Sequence, residues 1–94
     1  MGERKEYLIS GLSDEDLERM ATQAGSDLGA REFMTIPKGE LYEGLAVNWQ
    51  APSDERCITI YPGHSTVHAD QIDTDSELGK LLEELTAKYP SLND

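Results

Sequence analysis

Cys57, His64, His68 and Asp70 have the chemistry to hold a soft metal ion or to form a thiolate nucleophile, and they fall in one short stretch. Zinc sites built from such ligands usually show tight pairing, for example two cysteines separated by two residues, and that pairing is missing. As a Cys-His catalytic set they fare no better. If the strand through Cys57 turns at Pro62 to Ser65, Cys57 stands opposite Asp70 rather than His68, and no residue pattern signals an oxyanion hole or substrate pocket. The pattern therefore argues against an enzyme and predicts no catalytic residue, no cofactor and no metal ligand.

A second cluster invites a hard cation. Asp73, Asp75, Glu77 and Glu84 have the relative spacing of acids in a helix-loop-helix calcium site. The glycine such a loop needs at its sixth position is here Leu78, Gly79 comes one residue late, and Lys80 takes an apolar slot. Leu78 also opens a helical stripe, so the acids read as a helix N-terminus, where the dipole favours negative charge. Gly25 and Gly29 bracket AGSDLGA, which lacks a phosphate-loop lysine and the Gly-x-Gly-x-x-Gly spacing.

These residues must be positioned by strands and two helices. Glu6 to Ser10 has the β-forming bulk of a first strand. Ser13 is a good N-cap, Asp16 completes a variant capping box, and Leu12 can staple onto Leu17. Leu17, Met20, Ala21 and Ala24 form one apolar stripe, with Gly25 predicted to end the helix and Leu28 to act as a loop anchor. Glu32 to Ile36 is the next strand, followed by turn chemistry at Pro37-Lys38-Gly39 before Leu41 and Tyr42, and Gly44 marks a bulge or bend.

Leu45, Val47 and Trp49 alternate with Ala46, Asn48 and Gln50, which places Trp49 in the core, or makes it an exposed anchor if a bulge reverses the register. Ala51 to Arg56 is a loop, Cys57 to Tyr61 a strand, Pro62 to Ser65 a turn and Thr66 to Ala69 a short return strand. A four-residue loop pairs Ile60 with Val67, Thr59 with His68 and Ile58 with Ala69. Thr59, Tyr61, Thr66 and His68 then share the face turned away from the helices. Thr74 and Glu77 predict a capping box for the last helix, whose Leu78, Leu81, Leu82, Leu85 and Tyr89 form the cleanest amphipathic stripe in the chain, with Pro90 as its stop. The order β-α-β-β-β-β-α predicts an α+β two-layer sandwich: a mostly antiparallel sheet of about five strands with both helices on one face. One domain over residues 1–94 is expected, with flexible ends at about 1–5 and 91–94.

Charge bounds the function. Nineteen acids against eight bases give net −11, and each third of the chain is net negative, so no basic patch hides in the average. Such a field repels nucleic acid and acidic membranes, which predicts neither as a direct partner. One cysteine, no leader-like start and no apolar run of spanning length predict a reduced, cytoplasmic protein. The expectation is a small acidic protein-binding module of the inhibitor, immunity or anti-defence type. It would block a basic nuclease or nucleic-acid-handling protein, with Tyr61, His64, His68, Asp70, Asp73, Asp75, Glu83 and Glu84 as the binding residues; a homodimer is left open. Glu15 with Arg19 and Glu84 with Lys88 stand at i,i+4 spacing, which predicts local neutralisation of part of that charge. The competing expectation is a structural or adaptor subunit whose acidity suits a high-salt host, and the third is a metal-binding protein.

Overall fold

Tyr7 and Ile9 alternate with Leu8 in β1 (Arg4–Ile9), and that alternation turns one side of the strand into the core. A computed structural model describes residues 3–89. In it β1 begins at Arg4, so Arg4 and Lys5, expected in a flexible end, are strand residues facing Asp73 and Ile72. The remaining elements are α1 (Asp14–Leu28), β2 (Arg31–Ile36), β3 (Gly44–Gln50), β4 (Cys57–Tyr61), a single 3-10 turn (Pro62–His64), β5 (Thr66–Asp73) and α2 (Glu77–Lys88). The five strands make one antiparallel sheet in the order β1-β5-β4-β3-β2. Both helices cover one face, α1 over β3 and β4 and α2 over β5 and β1, which is a two-layer α+β fold.

Register decides what each face carries. Tyr7 pairs with Ala69, Ile9 with Val67, Ile58 with both Ala69 and Trp49, and Ile60 with both Val67 and Val47. Under the helices these side chains meet Met20, Ala24, Leu28, Leu78, Leu82 and Leu85, all buried. Trp49 is 4% exposed and belongs to this core. At about 1.5 to 3 kcal/mol for each large apolar side chain, this cluster is the main favourable term in folding.

Local boundaries differ from expectation in four places. Gly25 does not end α1: Leu28 is buried, so the apolar stripe continues for one more turn, and Gly29 closes the helix by donating its N–H to the Gly25 carbonyl at 3.1 Å. β5 does not stop at Ala69. A bulge places Asp70 and Gln71 opposite Glu6, with Gln71 at φ 58°, and this shifts the alternation so that Ile72 returns to the core. The cap of α2 is Ser76 rather than Thr74, its hydroxyl accepting from Gly79 N–H at 3.0 Å. Leu41 and Tyr42 lie in the turn between β2 and β3, outside any strand. The expected stop at Pro90 and the tail at 91–94 lie outside the described residues.

The capping box at α1 is also only half made. Ser13 Oγ accepts from Asp16 N–H at 3.2 Å, but the Asp16 carboxylate turns inward and joins the two helices. It receives Lys88 Nζ at 2.7 Å, Arg19 Nη1 at 2.9 Å and Tyr89 Oη at 2.5 Å, and the Ser13 N–H donates to Tyr89 Oη at 3.1 Å. Arg19 bonds Asp16 one turn back in α1 and Glu84 of α2, and Lys88 bonds Asp16, so the expected i,i+4 pairs are replaced by one i,i+3 pair and two links between the helices. Asp16 is buried, and its three donors replace the water its carboxylate loses.

Candidate functional site: an acidic pole beside an open sheet face

The face away from the helices carries the polar cross-strand pairs. His68 pairs with Thr59 and Thr59 with Asn48, and Thr59 Oγ1 donates to Asn48 Oδ1 at 2.8 Å. His68 Nε2 lies 2.7 Å from Glu6 Oε2. Toward the β4–β5 turn, Tyr61 stacks on Tyr42 with ring centroids 4.8 Å apart, and His64 meets the edge of Tyr42 at 5.5 Å. Tyr42 sits at φ 62°, a left-handed conformation that aims its ring back over the sheet. Burial, and then the neighbouring Tyr42, push the Tyr61 hydroxyl up.

Cys57 lies on this face opposite Asp70. Burial, followed by the Asp70 carboxylate, raises its thiol, which disfavours the thiolate a nucleophile requires. His68 is held by Glu6, and His64 is in the turn with Tyr42, so the four residues with metal or nucleophile chemistry are not gathered. Among the described residues, no group of three or more His, Cys, Asp or Glu is arranged to hold a metal ion.

The expected binding residues fall in four places. Tyr61 and His64 mark the β4–β5 turn, while His68 occupies the middle of the open face. Asp70, Asp73 and Asp75 gather at the opposite end of the sheet, around the end of β5. Glu83 and Glu84 belong to α2, on the other layer, and both are engaged within the chain. Glu83 accepts from Tyr7 Oη at 2.5 Å and Lys5 Nζ at 3.2 Å, which holds its carboxyl below the usual range, the tyrosine contributing most. Glu84 accepts from Arg19 Nη2 at 2.9 Å. The expected set is therefore not one patch.

What the fold does assemble is a pole. Arg4 pairs with Asp73 across β1 and β5, and Cys57 pairs with Asp70 across β4 and β5, so the start of β1, the end of β5 and the loop before β4 meet. Asp54, Glu55, Asp70, Asp73 and Asp75 lie there. The two arginines of the neighbourhood both turn to Asp54: Arg56 Nε at 2.9 Å and Arg4 Nη2 at 3.6 Å. Donation from Arg56, its backbone N–H first and its side chain second, keeps Asp54 ionised below the ordinary carboxylate range. The Asp70 and Asp73 carboxylates accept from the backbone N–H groups of Gln71 and Asp75, at 3.0 and 2.9 Å, and neither meets a cation among the described residues. A shallow hollow of about 260 Å³ opens beside the pole, with Glu32, Asn48, Gln50 and Asp54 on its walls.

A second surface escaped the sequence. Phe33, Met34, Leu41 and Leu45 are exposed, Phe33 by 62% and Leu41 by 76%, and all four belong to the β2–β3 hairpin. Five strands at about 4.8 Å spacing are wider than two helices of about 10 Å, so the sheet overhangs its cover by roughly one strand. Along β3 the consequence is a gradient: Trp49 is buried under α1, Val47 is half-buried and Leu45 is 54% exposed, although all three share a face. The strand count set against the number of apolar helical stripes was the available signal.

Comparison of the chain with protein-family models, with curated proteins and with solved structures finds no match in any of the three. Among the described residues, no helix is long and apolar enough to cross a membrane.

Proposed function

We propose that this chain is a small, non-catalytic protein-binding module that presents its acidic pole and the adjoining open sheet face to a basic protein. Asp54, Glu55, Asp70, Asp73 and Asp75 supply the charge, and the hollow between Glu32 and Asp54 takes a cationic side chain of the partner. His68 supplies a polar contact on the flat face. The function that follows is inhibition of the immunity or anti-defence type, by occupying the basic surface of a nuclease or nucleic-acid-handling protein. One observation carries this proposal: both arginines near the pole are held by Asp54, while Asp70 and Asp73 accept from neutral local donors, the backbone N–H and side-chain amide of Gln71 and the backbone N–H of Asp75, which leaves their charge to face outward. Complementary charge steers association and weakens as salt screens it.

The test is affinity capture with the whole chain as bait at low salt, followed by mass spectrometry and a salt-gradient release. A basic protein retained at low salt and released as salt rises supports the proposal. Recovery of no basic protein refutes it. A thermal melt across salt concentration separates the high-salt adaptor, for which folding requires molar salt, from a binding module, which is folded at low salt.

A further inference from the structure

We infer that the β2 edge is a self-association site at which two copies of this chain pair their β2 strands antiparallel, about a two-fold axis at Phe33, into one ten-stranded sheet. The two ends of the sheet are unlike. At the β1 edge, Arg4, Lys5 and Glu6 and a bulge against β5 disfavour further pairing. At the β2 edge the strand is regular over all six residues in its pairing with β3, lacks proline and is exposed along nearly its whole length.

The free hydrogen-bonding groups of β2 can be assigned. Gln50 N–H donates to the Ala30 carbonyl at 3.3 Å, and these residues lie directly opposite by extension of the β2–β3 register. In an antiparallel ladder hydrogen-bonded pairs alternate with non-bonded ones, so Glu32, Met34 and Ile36 face their bonds toward β3. Arg31, Phe33 and Thr35 therefore aim their N–H and C=O groups at the open edge. A two-fold axis at Phe33 matches this set with itself: Phe33 faces Phe33, and Arg31 faces Thr35 in both directions. The Arg31 guanidinium already lies over its own Phe33 ring, 5.1 Å from the centroid, so the two phenyl rings meet with a cation above each.

Charge selects a second copy over a basic partner here. Among the described residues, Arg31 and Lys38 are the two Lys or Arg side chains without an ion pair, and both flank the exposed apolar strip. These two cations favour a second acidic copy and oppose the approach of a basic partner. β2 itself carries one Arg and one Glu, making it a neutral seam on a chain of net −11.

Sedimentation velocity over a concentration series tests this on the whole chain. The wild type is expected to dimerise, and more tightly as salt rises, because screening relieves repulsion between two acidic copies; this is the opposite salt trend to that of the basic partner. Thr35→Pro removes an outward N–H while leaving the β3 ladder intact, and is expected to weaken the dimer by about tenfold or more with unchanged circular dichroism. Phe33→Glu and Phe33→Lys are each expected to be monomeric, and an equimolar mixture of the two to dimerise. A wild type that stays monomeric up to millimolar concentration, or a dimer indifferent to Thr35→Pro and Phe33→Glu, overturns the inference.

Discussion

Alanine at Gly79 and at Gly25 should change stability in opposite directions, although both glycines lie inside helices. A helical Gly→Ala substitution in open space stabilises by about 0.8 to 1 kcal/mol through backbone entropy. At Gly25 an added Cβ meets only Trp49 Nε1 at 3.9 Å, an ordinary contact, so Gly25→Ala should keep most of that gain. At Gly79 the added Cβ would stand 2.2 Å from the Asp73 carbonyl oxygen and 2.9 Å from Thr74 Cα. That carbonyl cannot easily retreat, because it accepts from Ser76 N–H at 3.0 Å and Ser76 Oγ at 2.7 Å, and Ser76 is the cap of α2.

Relief requires α2 to lift from the end of β5, loosening Leu78 and Leu82. Overpacking costs about 1 to 3 kcal/mol and a disturbed cap about 1 more, so after the propensity gain Gly79→Ala should lose about 2 kcal/mol. For a chain of this size that corresponds to about 10 °C in Tm. Urea unfolding and thermal melts of the two variants measure both signs. A Gly79→Ala protein as stable as wild type would refute the tight seating of α2 against the turn at Asp73.

Lys88, Tyr89 and Arg19 hold the Asp16 carboxyl well below the usual carboxylate range. A depressed folded-state pKa stabilises above the unfolded value of about 3.9 and is lost as pH falls below it. Asp16→Asn should therefore lower Tm at neutral pH and flatten the decline of Tm on acidification below about pH 4, followed by calorimetry. Ser76→Ala should cost about 1 kcal/mol in urea unfolding by removing the Gly79 cap, and Thr74→Ala much less, because Thr74 is not the cap.

The register of β4 and β5 was legible because Cys57 to Tyr61 and Thr66 to Ala69 alternate cleanly about a short turn, and the pairs Ile60–Val67, Thr59–His68 and Ile58–Ala69 all form. Past Ala69 the alternation fails at the bulge, which hides Ile72 from any period-two pattern. Leu28 continued the stripe of α1, yet Gly25 looked like a stop; a helical glycine beside Trp49 was indistinguishable from a cap without the partner strand. The pole was half legible. Asp70, Asp73 and Asp75 are close in sequence, whereas Asp54 and Glu55 join them only through strand pairing. Glu83 and Glu84 resembled free surface acids because Tyr7, Lys5 and Arg19, the groups that engage them, are remote in the chain.

The proposed function requires that the pole, and not acidity in general, recognise a basic protein. Two triple variants with the same change in net charge separate these: Asp70→Lys, Asp73→Lys, Asp75→Lys at the pole, and Asp14→Lys, Glu15→Lys, Glu18→Lys on α1. Affinity for the captured partner, measured by titration calorimetry at fixed salt, should be lost in the pole variant and largely kept in the α1 variant. Equal loss in both, or none in either, would contradict recognition by the pole.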